Sequence, residues 1–286
     1  MIKGDMLPIS YNLQLRKPKE DSPVWYREFH NKFYLFTLSN LLLLSYIKSY
    51  CYYQEISPED EEKIALDIEK FLQELIEEIK VQDKKHKAYL ISMGFEAECE
   101  EKLVDINLPD ILSLTNKKNW YEVIKGLLNS WEFLCLYAIT ETMLKEILST
   151  EGKIKEEDLV HKVFEKFPAL EKTLQKKSTY YSRDFCEDIW KFYSRLRDIY
   201  AHSFGFITSL AKSNILGGLR ENFLKSWREL KEKDTLVYIL IEEYIDKSFH
   251  KSSIDDGKFF FLSDYELNIF RNFIINLSES LEEIAC

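Results

Sequence analysis

Two side chains at the start of the last third of the chain have the types needed to work on a phosphodiester. Arg197 carries a planar, permanently charged fork that fits phosphate oxygens. His202 is the side chain best suited to exchange protons near neutral pH. Both belong to Ser194-Arg195-Leu196-Arg197-Asp198-Ile199-Tyr200-Ala201-His202-Ser203, which closes a helical run beginning near Arg183. Ile189, Phe192, Leu196 and Ile199 recur at three- and four-residue spacing and mark one buried stripe. On a regular helix, Arg197 and His202 point about 140° apart. They reach one cleft only if the helix bends or a second copy of the pair completes the site. Spacing alone also allows a non-catalytic reading. Asp198 and His202 are i,i+4 and can simply hydrogen-bond, while Arg197 follows Trp190 and Tyr193 at helical spacing and can stack on an aromatic or pair with an acid.

Other familiar chemistries lack their residues. The chain has no G-x-x-x-x-G-K-[ST] phosphate loop, no G-x-G-x-x-G, no H-E-x-x-H and no serine-hydrolase elbow. A carboxylate-bridged metal bundle needs Glu-x-x-His pairs, but Glu157 and His161 are four apart and His30, His86 and His250 stand alone. Neither a metal nor a cofactor is implied. Cys51, Cys99, Cys135, Cys186 and Cys286 are odd in number and form no C-x-x-C, as in a cytoplasmic protein with reduced thiols. Met1-Ile2-Lys3-Gly4-Asp5 lacks the apolar core of a signal peptide.

Arg197-Asp198-Ile199-Tyr200-Ala201-His202 resembles the signature of the HEPN superfamily, in which an arginine precedes a histidine by four to six residues, often with Asn, Asp or His just after the arginine. Asp198 fits that polar slot, and Arg195 fits the looser spacing. The resemblance covers roughly Asn119 to His250. It implies an all-α bundle. As in many members, it implies a metal-independent ribonuclease of a toxin–antitoxin or other defence system. The resemblance also implies a homodimer with a composite active site, RNA as substrate and an antitoxin protein as partner. It puts Arg197 on the phosphate, His202 on the transferred proton, Asp198 in the polar slot, and Glu141 as the acid that several families place on the helix facing the motif. Toxins paired with a nucleotidyltransferase antitoxin commonly carry a tyrosine two residues after the histidine. Phe204 stands there and has no hydroxyl to modify.

The elements that must position these residues are helices. Gly and Pro number only 8 and 6, against 19 Phe and 17 Tyr, and breakers this scarce favour helix. The run between Lys32 and Lys48 is apolar but shorter than the ~20 residues of a membrane span, so it reads as part of a buried helix from Trp25 to about Tyr53. Ser57-Pro58-Glu59-Asp60 starts a helix to about Lys80. A long helix from about Asn119 to Ser149 carries Leu134, Tyr137, Ala138, Glu141, Leu144 and Leu148 on one face. Glu141 there faces the motif or pairs with Lys145. Short helical pieces broken at Pro168 lead to the motif helix. After it, helices at about 220–231 and 234–250 precede a last helix that opens with the capping box Ser263-x-x-Glu266. Tyr11–Arg16 and Lys258–Leu262 alternate or extend as a small two-stranded element from the two ends of the chain would. The expected layout is an N-terminal helical segment over 1–112, packed on a HEPN-like bundle over 113–286, with one continuous domain as the alternative.

The net charge of −10 excludes a broad electrostatic grip on nucleic acid. A local patch remains open: Lys176, Lys177 and Tyr181, with Arg195, mix cations and an aromatic ring as single-stranded RNA requires, although they also suit an exposed linker with ordinary lysines. The leading reading is an endoribonuclease leaving 2′,3′-cyclic phosphate ends. The alternative is a non-catalytic HEPN-like module that binds RNA, nucleotide or a protein partner.

Overall fold

The computed structural model describes residues 15, 18–30, 32–33, 58–93, 108–115, 117–149, 154–177, 181–203, 205–210 and 257–285. The fold is all-α. Its helices are α1 (Pro58–Ser92), α2 (Leu108–Ser113), α3 (Trp120–Leu148), α4 (Leu159–Lys166), α5 (Leu170–Lys177), α6 (Arg183–Ser203) and α7 (Asp264–Ala285), with a 3₁₀ turn at Glu156–Asp158 before α4. Residues 24–30 and 32–33 are also helical. No helix among the described residues is long and apolar enough to cross a membrane. Most of the apolar run beginning at Phe33, and the helices expected at 220–231 and 234–250, lie outside the described residues.

Two compact units divide the chain, one made of 1–44 with 126–286 and the other of 45–125. The N-terminal 112 residues expected to form one segment are therefore split. The reason is visible in the first unit's core, where Tyr26, Phe29 and Phe33 are buried in the same cluster as Phe133, Trp190 and Phe270. In the second unit, α1 buries Ile64 and Ala65 with Tyr121, at the start of α3. α1 runs on to Ser92, past the expected end near Lys80. The residues from Gln82 to Leu90 contain neither Gly nor Pro, so nothing local stops the helix.

Helix starts follow their cap chemistry. The Asn119 side chain accepts the Glu122 amide at 2.9 Å to open α3. At α7 the capping box is formed: Ser263 Oγ accepts the Glu266 amide at 3.2 Å, and the Glu266 carboxylate accepts the Ser263 amide at 2.9 Å. The core of the first unit is built from aromatic rings on α3, α6 and α7. Tyr137 stacks on Trp190 with centroids 4.8 Å apart, and Phe133, Tyr193 and Phe270 form a mutually contacting triad.

The segment following the motif helix is fixed by backbone bonds to residues 257–260. Ile207 donates to the Lys258 carbonyl at 2.9 Å and Phe260 to the Gly205 carbonyl at 2.8 Å, around an isolated antiparallel bridge between Phe206 and Phe259. The strand expected over 258–262 is reduced to the single bridge at Phe259, and its backbone partner is the turn after α6. Of the expected partner Tyr11–Arg16, all but Leu15 lies outside the described residues. Gly205 makes this turn possible: its φ is +85°, and a Cβ there would sit 2.5 Å from the Phe259 ring. Gly205→Ala is expected to lower unfolding stability by about 1–3 kcal/mol from backbone strain alone, with crowding against Phe259 adding to it. A urea midpoint that drops with an unchanged slope would report this.

Candidate functional site

The motif sits in the last two turns of α6, and α3 holds it from behind. Tyr137 donates to Ser194 Oγ at 2.9 Å, and Ser194 donates in turn to the Trp190 carbonyl at 2.8 Å. Tyr200, the aromatic inside the motif, is buried and donates to the Phe260 carbonyl at 2.7 Å, with Ser130 Oγ also at 2.7 Å. Burial pushes the Tyr200 hydroxyl well above its ordinary pKa, so it stays a neutral hydrogen-bonding group. These bonds fix the rotation of α6 about its axis. Leu196, Ile199 and Tyr200 point inward, leaving Arg197 half-buried and His202 exposed.

Arg197 is held by carboxylates. Its Nη2 is ion-paired with Glu156, and its Nη1 lies 3.0 Å from Asp198 Oδ1. The guanidinium also lies over Tyr137, 5.3 Å from the ring centroid. Its Nε is buried without a hydrogen-bond partner. A wholly structural arginine normally satisfies its buried donors, and leaving one unpaired costs about 1–3 kcal/mol. Tyr137 is governed by the same groups. Burial pushes its hydroxyl up to about 12, against the hydrogen bond to Ser194 and the charge of Arg197, while the charge of Glu141 adds to the rise.

Arg195, two residues earlier on α6, is ion-paired with Glu157 and lies 3.9 Å from Asp198 Oδ2. The two motif arginines therefore face one acidic turn. That turn is anchored to α6 by its backbone, since Trp190 Nε1 donates to the Glu156 carbonyl at 2.7 Å. Sequence reasoning missed Glu156 and Glu157 as partners of the motif. The only signal was the run Glu156-Glu157-Asp158 ahead of a helix, which reads equally well as an ordinary N-terminal cluster.

The expected site residues are partly brought together. Asp198 touches both arginines. Glu141 is ion-paired with Lys145, the i,i+4 alternative. None of its hydrogen bonds or ion pairs reaches Arg197, Asp198 or His202, and its link to the motif is through the field on Tyr137. His202 lies in the last turn of α6, and its side chain has no hydrogen bond or ion pair among the described residues. α6 is unbroken from Arg183 to Ser203, so the pair stays splayed by about 140° within one chain. The pairing of Asp198 with His202, open on spacing alone, is not made; Asp198 turns to the arginines.

The RNA-binding patch needs correction. Tyr181 is 2 % exposed, and its hydroxyl accepts a bond from Asn276 at 3.2 Å, so its ring offers no free face to a base. Lys177 is ion-paired with Glu279 at 2.5 Å and Glu283 at 3.4 Å. It ties α5 to α7. Arg195 is taken by Glu157. Lys176 alone of the four is exposed with no such contact. The physical reason for Lys177 is that α5 is amphipathic and docks on α7, which draws its ammonium into an ion pair across that contact.

Among the described residues, no group of histidine, cysteine, aspartate and glutamate is arranged to hold a metal ion. His161 instead joins α4 to α6, with Nδ1 3.0 Å from Glu187 and 3.1 Å from Arg183 Nη2. The described cysteines, Cys135 and Cys186, are free thiols, and burial pushes both up. Compared with family models, curated proteins and solved structures, the chain matches none.

Proposed function

We propose that this chain is a HEPN-like, metal-independent endoribonuclease whose site is completed by a second copy of the chain. The observation that carries the reading is the division of labour on α6. Arg197 is a charged fork held in place by two carboxylates and a ring. His202 lies exposed at the end of the same helix, free of any hydrogen bond or ion pair among the described residues. In this scheme Arg197 grips the scissile phosphate and stabilises its developing charge. His202 takes the proton of the ribose 2′-hydroxyl, and the partner's copy of the same histidine protonates the leaving 5′-oxygen. The products carry 2′,3′-cyclic phosphates, and DNA survives because deoxyribose lacks the nucleophile. A toxin or defence role in the cytoplasm, with an antitoxin protein as partner, fits this chemistry.

A second reading has its own support. The arginines are already neutralised by Glu156, Glu157 and Asp198, which suits a HEPN-like module that binds RNA, nucleotide or a protein without cutting. The separating experiment is cleavage of mixed-sequence RNA and matched DNA, with chelator present. RNA-only cleavage with cyclic phosphate ends supports the ribonuclease; intact RNA at all protein concentrations supports the binding module.

A further inference from the structure

We infer that the acidic turn Glu156–Asp158 is an internal latch on the motif, in which Glu156 and Glu157 occupy Arg197 and Arg195 where backbone phosphates of single-stranded RNA would bind. This rests on the reading that the motif arginines grip phosphate. A carboxylate and a phosphate present similar pairs of anionic oxygens to a guanidinium, so each glutamate fills the seat of one phosphate. The two pairings lie side by side, Glu156 on Arg197 and Glu157 on Arg195, with Asp198 between the arginines at 3.0 Å and 3.9 Å.

The geometry also says how the latch opens. The turn cannot lift as a lid without breaking the 2.7 Å bond from Trp190 Nε1 to the Glu156 carbonyl, and Trp190 is fully buried. The Leu159 amide holds the same carbonyl. The carboxylates are a different matter. The side chain of Glu156 is 41 % exposed and that of Glu157 28 % exposed. Ion pairs this open to water are weak and screened by salt. Release is therefore a rotation of two side chains into solvent, with the turn backbone in place. Asp198 stays beside the arginines and keeps their forks oriented. The latch also accounts for an acidic protein carrying an RNA site: the local cations are shielded until a polyanion competes for both at once.

The test is binding of a 5′-labelled, mixed-sequence single-stranded RNA, followed by fluorescence anisotropy in a His202→Ala background so that the probe stays intact. Glu156→Gln with Glu157→Gln should tighten binding on the order of tenfold near 0.1 M salt, and should steepen the salt dependence by about 1.4 log units per log unit of salt, as two uncovered cations predict. In an Arg195→Ala, Arg197→Ala background the same two substitutions should change nothing, because the cycle removes the partners. If the pair of glutamine variants lowers the melting temperature, each single variant carries half of the expected slope change and is measured alone. Unchanged affinity and slope overturn the latch. So does tightening that persists without the arginines, which would report only the smaller net negative charge. Cleavage is scored separately with His202 restored. Tightened binding without cleavage keeps the latch and removes the ribonuclease reading, whereas His202-dependent cleavage with unchanged binding keeps the ribonuclease and removes the latch.

Discussion

His202→Ala is expected to lower the rate of RNA cleavage by roughly 10²–10⁴-fold, the usual contribution of a positioned acid or base, without changing stability. The stability half follows from exposure: the His202 side chain makes no hydrogen bond or ion pair among the described residues, and it lies outside the buried stripe of α6. Surface changes of this kind are usually within about ±0.5 kcal/mol. The rate half depends on a second chain. In-line displacement needs a base on one side of phosphorus and an acid on the other, and one unbroken helix splays Arg197 and His202 by about 140°. A two-fold interface places the same patch on both subunits, so two copies of α6 would bring the second histidine across the axis. Phe206, 37 % exposed just after the motif, is an apolar residue available to such a contact. Titrating His202→Ala chains into wild type should then lower activity below that of the wild-type chains alone, as mixed dimers form. Activity strictly proportional to wild-type chain, with monomers in sedimentation, would remove the composite site. Arg197→Lys provides an internal comparison. It keeps the charge but loses the planar fork that spans Glu156 and Asp198, so it should behave nearer to alanine than to arginine.

What the sequence made legible was whatever depends on local period and local chemistry. The helices, the cap at Ser263, the buried stripe of α6 and the i,i+4 pair Glu141–Lys145 all come from residues close in the chain. Long-range partners were not legible. Glu156 reaches Arg197 and Glu157 reaches Arg195 across a turn and two helices, and no spacing rule connects them. Tyr181 and Lys177 carry the types of an RNA patch, but burial depends on which face of α5 and its connector meets α7, and periodicity over eight residues does not decide that. The strand expected over 258–262 proved to be one isolated bridge at Phe259, and its partner, the turn at Gly205, became evident only once φ and the Phe259 contact were known. The buried pair Glu132–Arg271 was missed for the same reason, since its two halves lie on helices far apart in sequence.

That pair carries the largest expected effect on stability. Arg271 on α7 donates Nε and Nη2 to the Glu132 carboxylate on α3, at 2.7 Å and 2.5 Å, and Nη1 to Asn268 at 2.7 Å. The side chains are 6 % and 1 % exposed. Two desolvated charges in such a place are stabilising only relative to one left alone. Arg271→Ala should therefore destabilise by about 3–5 kcal/mol, because the Glu132 carboxylate stays buried without its fork. Replacing both, as Glu132→Leu with Arg271→Met, removes the charges together and should recover most of that loss or exceed wild type. Urea unfolding of wild type, Glu132→Leu, Arg271→Met and the double variant gives the coupling directly. The pair bears on the motif because α3 carries Tyr137 five residues beyond Glu132, and Tyr137 sets the rotation of α6 through Ser194. If the ion pair serves register rather than stability, the double variant will be stable yet hold α3 and α7 less uniquely. Its Arg197-dependent RNA affinity should then fall while its urea midpoint holds. If affinity holds too, the aromatic triad of Phe133, Tyr193 and Phe270 is sufficient to set the register by itself.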